Sequence, residues 1–393
     1  MPANNIEIIG NNCTGCGACA SKCNHNAIIF NNDSEGFLYP HTNNNCINCG
    51  LCLKVCHIHN PQTRPTISQK GYIAITRNNA IYKNAASGGI WGTFANLIIR
   101  EEKGAVSGAA YINGEVRHII ISDNEYMQLS RLQNSKYVQS NTVGLYAQIR
   151  NVLSDDKKVL FSGTPCQVAG LYAFLGKRYD NLTTIDLICH GVPSPEFLRI
   201  EIERLSKRRL DRVDFRWKNA FFAKSAYFLC LSQRKYAHSR SIFGRSIYSS
   251  NADPYFSLFL KNASFRESCY KCPYACLDRV GDITIGDCDS AQHYSDFHPK
   301  SSCSTIIINT KKGEDFWNRN RKHFDFKDLD LEKEALVNTQ LRHPSKRPDI
   351  RDIVYKDLKD MAPVDFKNKY GRNDSRLRNF IFRILDILPY HLK

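Results

Sequence analysis

Hydrophobic positions along this chain switch between two periods. In 88–103, Ile90, Phe94, Leu97 and Ile98 recur at helical spacing, and 142–153 repeats an amphipathic helical pattern. Around them lie short apolar runs bounded by Gly, Pro, Asn and Asp: 72–76, 105–112, 116–121, 159–163, 184–189, 213–218, 226–231, 282–286 and 305–309. Each reads as a strand. A tight turn at Thr164, Pro165, Cys166 and Gln167 leads from the 159–163 strand into a helix over 168–176, and 195–208 predicts another helix. Such alternation indicates an α/β or α+β domain around a mixed sheet. The first sixty residues differ. There 27–30 and 37–39 read as two short strands around the turn-rich Asn31-Asn-Asp-Ser-Glu-Gly36, and 57–69, with Pro61 and Pro65, reads as a linker. From about 343 the chain is polar and charged until a last basic amphipathic stretch.

Cysteine spacing gives the early segment its chemistry. Cys13, Cys16, Cys19 and Cys23 form a C-x2-C-x2-C-x3-C run, and Cys46, Cys49, Cys52 and Cys56 repeat it. This is the spacing by which bacterial-type ferredoxins hold two 4Fe-4S cubanes, the fourth cysteine of each run crossing to the other cluster. One cluster is therefore expected on Cys13, Cys16, Cys19 and Cys56, and the other on Cys46, Cys49, Cys52 and Cys23. Structural zinc prefers separated C-x2-C knuckles, and disulfides need an oxidising compartment. The segment from Met1 to Gly10 has neither a basic n-region nor an apolar h-region, so a reducing cytoplasm is expected. Asn24 and His57 replace the usual proline after each run without removing a ligand. Gly15, Gly17 and Gly50 lie between ligands, where tight backbone turns N–H groups toward sulfur. The G-x-G-x-x-A match at 15–20 follows no strand and is full of ligands, so a dinucleotide reading is rejected.

With 393 residues the chain exceeds a ferredoxin, and no apolar run approaches the roughly 18 residues that span a membrane. Its formal charge of +16 reads first as a solvated basic surface. An acidic redox partner, an anionic substrate or a membrane surface are the sharper alternatives, and no nucleic-acid motif accompanies the charge. Cys166 and Cys189 end neighbouring strands, and Cys269 and Cys272 form a C-x2-C pair. Together they suit a third cluster, with Cys276 and Cys288 as rival ligands and Cys230 and Cys303 as core positions; small-hydrophobe roles for the lone cysteines and a zinc knuckle or redox pair at Cys269 and Cys272 are the alternatives. Ser87, Gly88 and Gly89 open a helix, where backbone N–H groups suit a phosphate, a flavin carbonyl edge or an ordinary helix start. No P-loop and no G-x-S-x-G elbow is present.

Taken together, Ala86-Ser-Gly-Gly-Ile90, Ser135-Lys-Tyr-Val-Gln-Ser140, Ser162-Gly-Thr-Pro-Cys-Gln-Val-Ala-Gly-Leu171, Asp186-Leu-Ile-Cys-His-Gly-Val-Pro-Ser-Pro195 and Arg279-Val-Gly-Asp-Ile-Thr-Ile-Gly-Asp287 resemble the coenzyme F-420 hydrogenase/dehydrogenase beta-subunit family in its ferredoxin-fused form. The likeness covers roughly residues 1–310. It implies an α+β chain: a bacterial-type ferredoxin domain over 1–64, a mixed α/β flavin- and Fe–S-binding domain over 65–345, and a basic tail with a terminal amphipathic helix over 346–393. It implies FAD, touched by Ser87, Gly88, Gly89, Thr164, Pro165 and Gln167 and, at lower rank, Lys136. It also favours Cys166, Cys189, Cys269 and Cys272 for the third cluster. Relatives continue the Gly-Asp motif with an aromatic residue, Trp and Gly, whereas this chain reads Cys288-Asp-Ser290.

The implied function is an iron–sulfur flavoprotein oxidoreductase. Its partners would be a redox donor (a ferredoxin, a reduced deazaflavin or a nicotinamide) and a small-molecule substrate. The alternatives are a non-catalytic electron-transfer subunit and an accessory protein of a polysaccharide locus. His190 is the one acid/base candidate, set against a plainer role in ordering the cluster loop. The final stretch, with Arg376, Arg378, Arg383 and Lys393 among Leu377, Phe380, Ile381, Ile384, Leu385, Ile387 and Leu388, suits either peripheral membrane contact or packing on the chain's own core.

Overall fold

The computed structural model describes residues 4–61, 63–64, 68–218, 226–233, 245–250, 252–372, 380–382 and 384–385. At the N-terminus β1 (Ile28–Asn32) and β2 (Leu38–Thr42) form a two-stranded antiparallel ribbon. Each cysteine run turns into a short helix, Ala18–Lys22 or Leu51–Lys54, whose N-cap is a left-handed glycine, Gly17 or Gly50. The repeat in the sequence is thus a repeat in backbone conformation, one that a side chain would strain.

Beyond it, β3 (Lys70–Thr76), β4 (Ala105–Ile112), β5 (Glu115–Ile121), β6 (Val159–Gly163) and β7 (Leu182–Leu187) begin a large sheet. A separate antiparallel sheet is made by β8 (Leu210–Trp217), β9 (Ala226–Gln233) and β10 (Arg245–Ser249). The large sheet is completed by β11 (Ile283–Asp287), β12 (Ser304–Ile308) and β13 (Phe324–Leu329), in the order β13-β3-β12-β11-β7-β6-β4-β5. Its middle is parallel, β4 with β6, β6 with β7 and β7 with β11. These strands are covered on both faces and are correspondingly apolar, as Val159-Leu-Phe161 and Ile283-Thr-Ile285 illustrate. The edges carry charge instead, Glu115 and Arg117 on β5, and Asp325, Lys327 and Asp328 on β13, which discourages pairing with another chain.

The pattern-based elements recur with shifted ends. One shift matters for chemistry. The helix expected from Val168 starts at Pro165, because Thr164 and Gln167 form a capping box and Pro165 is preset for the first turn. The supposed turn at Thr164–Gln167 is therefore helix N-terminus, and Cys166 sits in its first turn.

The segment from 346 is not a free tail. It carries the helices Arg351–Asp360 and Pro363–Tyr370, whose Val354, Phe366 and Tyr370 pack in one core with Phe197, Phe215, Tyr255 and Phe256. At 380–382 and 384–385 the chain is helical; Phe382 packs against Trp217 and Phe228, while Phe380, Ile381 and Ile384 stay exposed. Self-packing thus accounts for part of this stretch. Arg376, Leu377, Arg378, Arg383, Ile387, Leu388 and Lys393 lie outside the described residues.

Ferredoxin-like and large parts are locked together. Buried Arg351 forms a forked ion pair with Glu35 and also donates to the Phe265 carbonyl. Gly36 faces Glu196 so closely that a Cβ would stand 2.1 Å from the glutamate's own. Gly170, mid-helix, leaves room for the Cys16 thiol, which a Cβ there would meet at 2.8 Å. Arg351→Met is expected to lower unfolding free energy by about 3 kcal/mol, because Glu35 would lose its buried partner. Lys311→Met, at an exposed pair, should leave the unfolding midpoint nearly unchanged. Urea midpoints compare the two directly.

Candidate functional site

Because β6, β7 and β11 are parallel, their C-terminal ends lie along one edge, and the segments leaving them meet there. Two adjoining cavities occupy this edge. The smaller is walled by Cys166, Cys189, Cys269 and Cys272, with Pro165 and Tyr274. The larger, about 370 Å³, has apolar walls from Ile90, Trp91, Leu132, Val138, Leu187 and Phe259. Both share Ser140, Thr164, Gln167, Cys189 and His190 as a partition.

Several of the buried thiols feel one another's charge. Burial raises the Cys16 pKa, and the charges of Cys13 and Cys56 raise it further; Cys19 is raised by burial and then by Cys16, Cys13 and Cys56. Burial likewise lifts Cys189 well above its ordinary value, followed by Cys269, Cys166 and Cys272. Burial also pushes Cys166 up to about 11 and Cys269 up to about 12. Cys23, Cys46, Cys49 and Cys52 line one further cavity in the N-terminal part. The quartets are not independent, since Cys16 also feels Cys166 across the seam.

Buried thiolates of one sign repel and are poorly solvated, so they need a positive core, and binding one releases protons. The donor sets fit 4Fe-4S cubanes. Gly15 N–H donates to the Cys13 sulfur at 3.4 Å and Ala27 N–H to the Cys23 sulfur at 3.3 Å. In the wall of the four-cysteine cavity, Gln139 Nε2 and Ser268 Oγ are buried donors without a partner. Among the described residues no three His, Cys, Asp or Glu side chains close tightly enough to share a single metal ion. Cys276 faces Arg64 and the Pro273 and Asp278 carbonyls, Cys288 lies against Glu334, and Cys230 packs with Trp217 and Ile247. None of these three lines the cavity.

The larger cavity receives some of the residues expected there. Ser87, Gly89, Lys136, Thr164 and Gln167 line it, while Pro165 faces the thiols instead. Gly88 lies behind the wall. Its N–H donates to Ser304 Oγ at 2.9 Å, and a Cβ would strike the Ala74 carbonyl. Lys136 also has a structural duty: its ammonium donates to the Arg131, Gln133 and Asn134 carbonyls at 2.6–2.9 Å. Burial holds its pKa down to about 7. The helix Ile90–Arg100 begins at Gly89 with no side-chain cap. Buried Trp91 Nε1 and Asn338 Oδ1, both of residues lining the cavity, lack partners. An acceptor-and-donor edge beside apolar walls is what a flavin ring presents, so these residues fit one.

His118 and Asp289 escaped the sequence reading. His118 is held with Nδ1 2.8 Å from Ser140 Oγ and Nε2 3.0 Å from the Ser162 carbonyl. The carbonyl fixes Nε2 as the protonated nitrogen, Ser140 donates to Nδ1, and Gln167 Nε2 donates to Ser140 at 2.9 Å. Burial holds His118 down to about 4, so the ring is neutral. Its signal in the sequence was an unremarkable histidine on a strand. Asp289 lines the cavity beside Asp287, and Asp287 pairs with Arg216 at 2.7 Å. The backbone N–H groups of Asp289 and Ser290 are pinned on buried Glu334 at 3.2 and 3.0 Å.

Asp289 is exposed on one side, yet partial burial first, then the charges of Glu334 and Asp287, raises it to about 6. Between pH 4 and 6 the folded protein therefore holds a proton that the unfolded chain releases, and stability falls as pH rises through that window. Asp289→Asn should gain about 1–2 kcal/mol at pH 7.5, after solvent screening, with the gain shrinking toward pH 5. Urea unfolding at the two pH values checks this.

Comparison with known proteins accords with the two-part organisation. Residues 12–60 match the family model "4Fe-4S dicluster domain". Residues 156–332 match the family model for the C terminus of the coenzyme F420 hydrogenase/dehydrogenase beta subunit. A solved chain from the F420-reducing [NiFe] hydrogenase complex of Methanosarcina barkeri aligns at 16% identity with a TM-score of 0.45, covering 80% of this chain and 98% of that one. No curated protein matches. Among the described residues no helix is long and apolar enough to cross a membrane.

Proposed function

We propose that this chain, whose residues 12–60 match the 4Fe-4S dicluster model and whose residues 156–332 match that for the C terminus of the coenzyme F420 hydrogenase/dehydrogenase beta subunit, is an iron–sulfur flavoprotein oxidoreductase. Electrons would move through three cubanes to FAD in the larger cavity. The carrying observation is the order of the sites. The quartet of Cys23, Cys46, Cys49 and Cys52 includes exposed Cys49. The quartet of Cys13, Cys16, Cys19 and Cys56 packs through Cys16 against Gly170, on the helix that carries Cys166. The quartet of Cys166, Cys189, Cys269 and Cys272 shares a wall with the flavin-sized cavity.

FAD, when bound, exchanges a hydride as two electrons with a substrate and passes them singly to a cluster. The chain's own residues would do the positioning. Trp91 Nε1 would donate to a ring carbonyl, and the uncapped helix start at Gly89 would receive a phosphate. Gln167, Ser140 and His118 form a fully directed hydrogen-bond chain that keeps the partition rigid. Their donors are used up, so the wall stays neutral. Among the described residues lining the cavity, the Lys136 ammonium is bound to carbonyls, and Asp287 and Asp289 bring carboxylates. Sixteen cysteines, eight of them in the two ferredoxin-type runs, support work in a reducing cytoplasm.

Anaerobic purification with iron, sulfide and flavin measured on one sample tests the reading. We expect about twelve irons per chain and about one FAD, with about eight irons left in Cys189→Ala. Trp91→Phe should keep all iron while weakening FAD binding about fivefold, the worth of one hydrogen bond. Full iron without any flavin would instead favour a non-catalytic electron-transfer subunit.

A further inference from the structure

Arg266 is 1% exposed, and among the described residues no carboxylate pairs with it. An unpaired buried guanidinium is costly, because it leaves water without a counter-charge. Its partial compensation is visible. Nε donates to the Cys13 carbonyl at 2.6 Å, and Nη1 donates to the Leu38 carbonyl at 3.1 Å and Gln139 Oε1 at 3.3 Å. The guanidinium also stacks 3.7 Å from the Tyr39 ring centroid. All of these are neutral groups, and Nη2 is buried with no partner at all.

The position of this cation is telling. It grips the backbone of Cys13, in one quartet, and its own carbonyl accepts the Cys269 N–H at 2.9 Å, in the other. Two further unpartnered donors stand beside it. Gln139 takes N–H donors from Leu38 and Arg266 on Oε1, which fixes the amide and leaves Nε2 directed the other way. That nitrogen lies against the open side of Gly15, where a Cβ would be only 2.0 Å away. Ser268 Oγ is the third, in a residue 7% exposed that lines the four-cysteine cavity. Three orphaned donors and one uncompensated charge thus meet in the seam between two thiol quartets. A cubane held by four thiolates is net negative, and its sulfurs accept hydrogen bonds.

Resting on the cluster assignments above, we propose that Arg266 is the shared counter-charge of the two inner clusters, with Arg266 Nη2, Gln139 Nε2 and Ser268 Oγ donating to their sulfurs. One electron leaving the outer cluster reduces an inner one, with no proton moved. A fixed cation beside the inner clusters favours their reduced forms and leaves the outer cluster unaffected. Electrons are thereby drawn inward, toward the larger cavity.

The test is potentiometric titration with EPR detection on full-length protein purified anaerobically, with iron measured on the same samples. Arg266→Gln holding full iron should lower two cluster potentials by at least tenfold in the reduction equilibrium, about 59 mV for one electron. The third should not move. Arg266→Lys keeps the charge and should restore most of the loss, which a purely structural role would not do. Wild-type potentials in an iron-replete Arg266→Gln, or an equal shift of all three, overturn the proposal. Should that variant fail to hold iron, the double variant Gln139→Leu and Ser268→Ala decides. About a threefold loss in the reduction equilibrium of an inner cluster supports the donors, and unchanged potentials overturn them. Wild-type protein that takes up no iron fails the cluster assignments themselves, before any potential is measured.

Discussion

The direction of three strands governs the chemistry of this protein. β6, β7 and β11 run the same way, so the residues that leave their C-terminal ends share one edge of the sheet. Parallel neighbours need crossover connections, and each connection here is used. The segment after β6 begins a helix that carries Cys166. The segment after β7 carries Cys189 and His190. The one before β11 brings Cys269 and Cys272 back to the same edge, and Asp287 and Asp289 follow β11 into the adjoining cavity. Reversing any of the three would send its thiol or carboxylate to the opposite edge.

Placing so many thiols indoors has an electrostatic consequence. Burial raises them, mutual repulsion raises them further, and the apo protein must favour the protonated forms. Clusters held by these thiols would therefore contribute to stability, because repelling thiols would become ligands of a positive core. The same burial makes the attachment of the dicluster part a matter of fine packing. Arg351 on Glu35, Gly36 on Glu196 and Gly170 on Cys16 hold the two parts in fixed register. Arg64 adds a strap, donating to the Pro273 and Asp278 carbonyls at 2.9 and 2.6 Å, next to Cys272. Tyr274 then spans the seam, its hydroxyl 2.6 Å from His57 Nδ1. With the parts so fixed, the distances between quartets are constants of the fold.

Local pattern carried much of this. The two cysteine runs, their glycines and most strands were legible because spacing and period are properties of contiguous residues. Lys136 shows where such reading stops. A lysine beside Tyr137 and Val138 can face solvent, a cofactor or carbonyls, and only the path of 131–134 turns it onto three carbonyls. Gly88 is similar: its neighbour Gly89 lines the cavity, but strand packing commits Gly88 to Ser304. The helices over 351–370 were hidden because their apolar positions are sparse and their partners, such as Phe197 and Tyr255, lie far away in the chain.

By itself, then, the sequence determined ligand chemistry, repeat and element type, all set within short windows by sulfur, glycine and hydrophobic period. Tertiary structure alone decided which distant residues share a space. It brought Asp289 and His118 to the cavity, separated Cys276 and Cys288 from the four cavity thiols, and left Arg266 buried between two quartets without a carboxylate. Burial, field and orphaned donors depend on what surrounds a group in three dimensions, and none of them has a period along the chain.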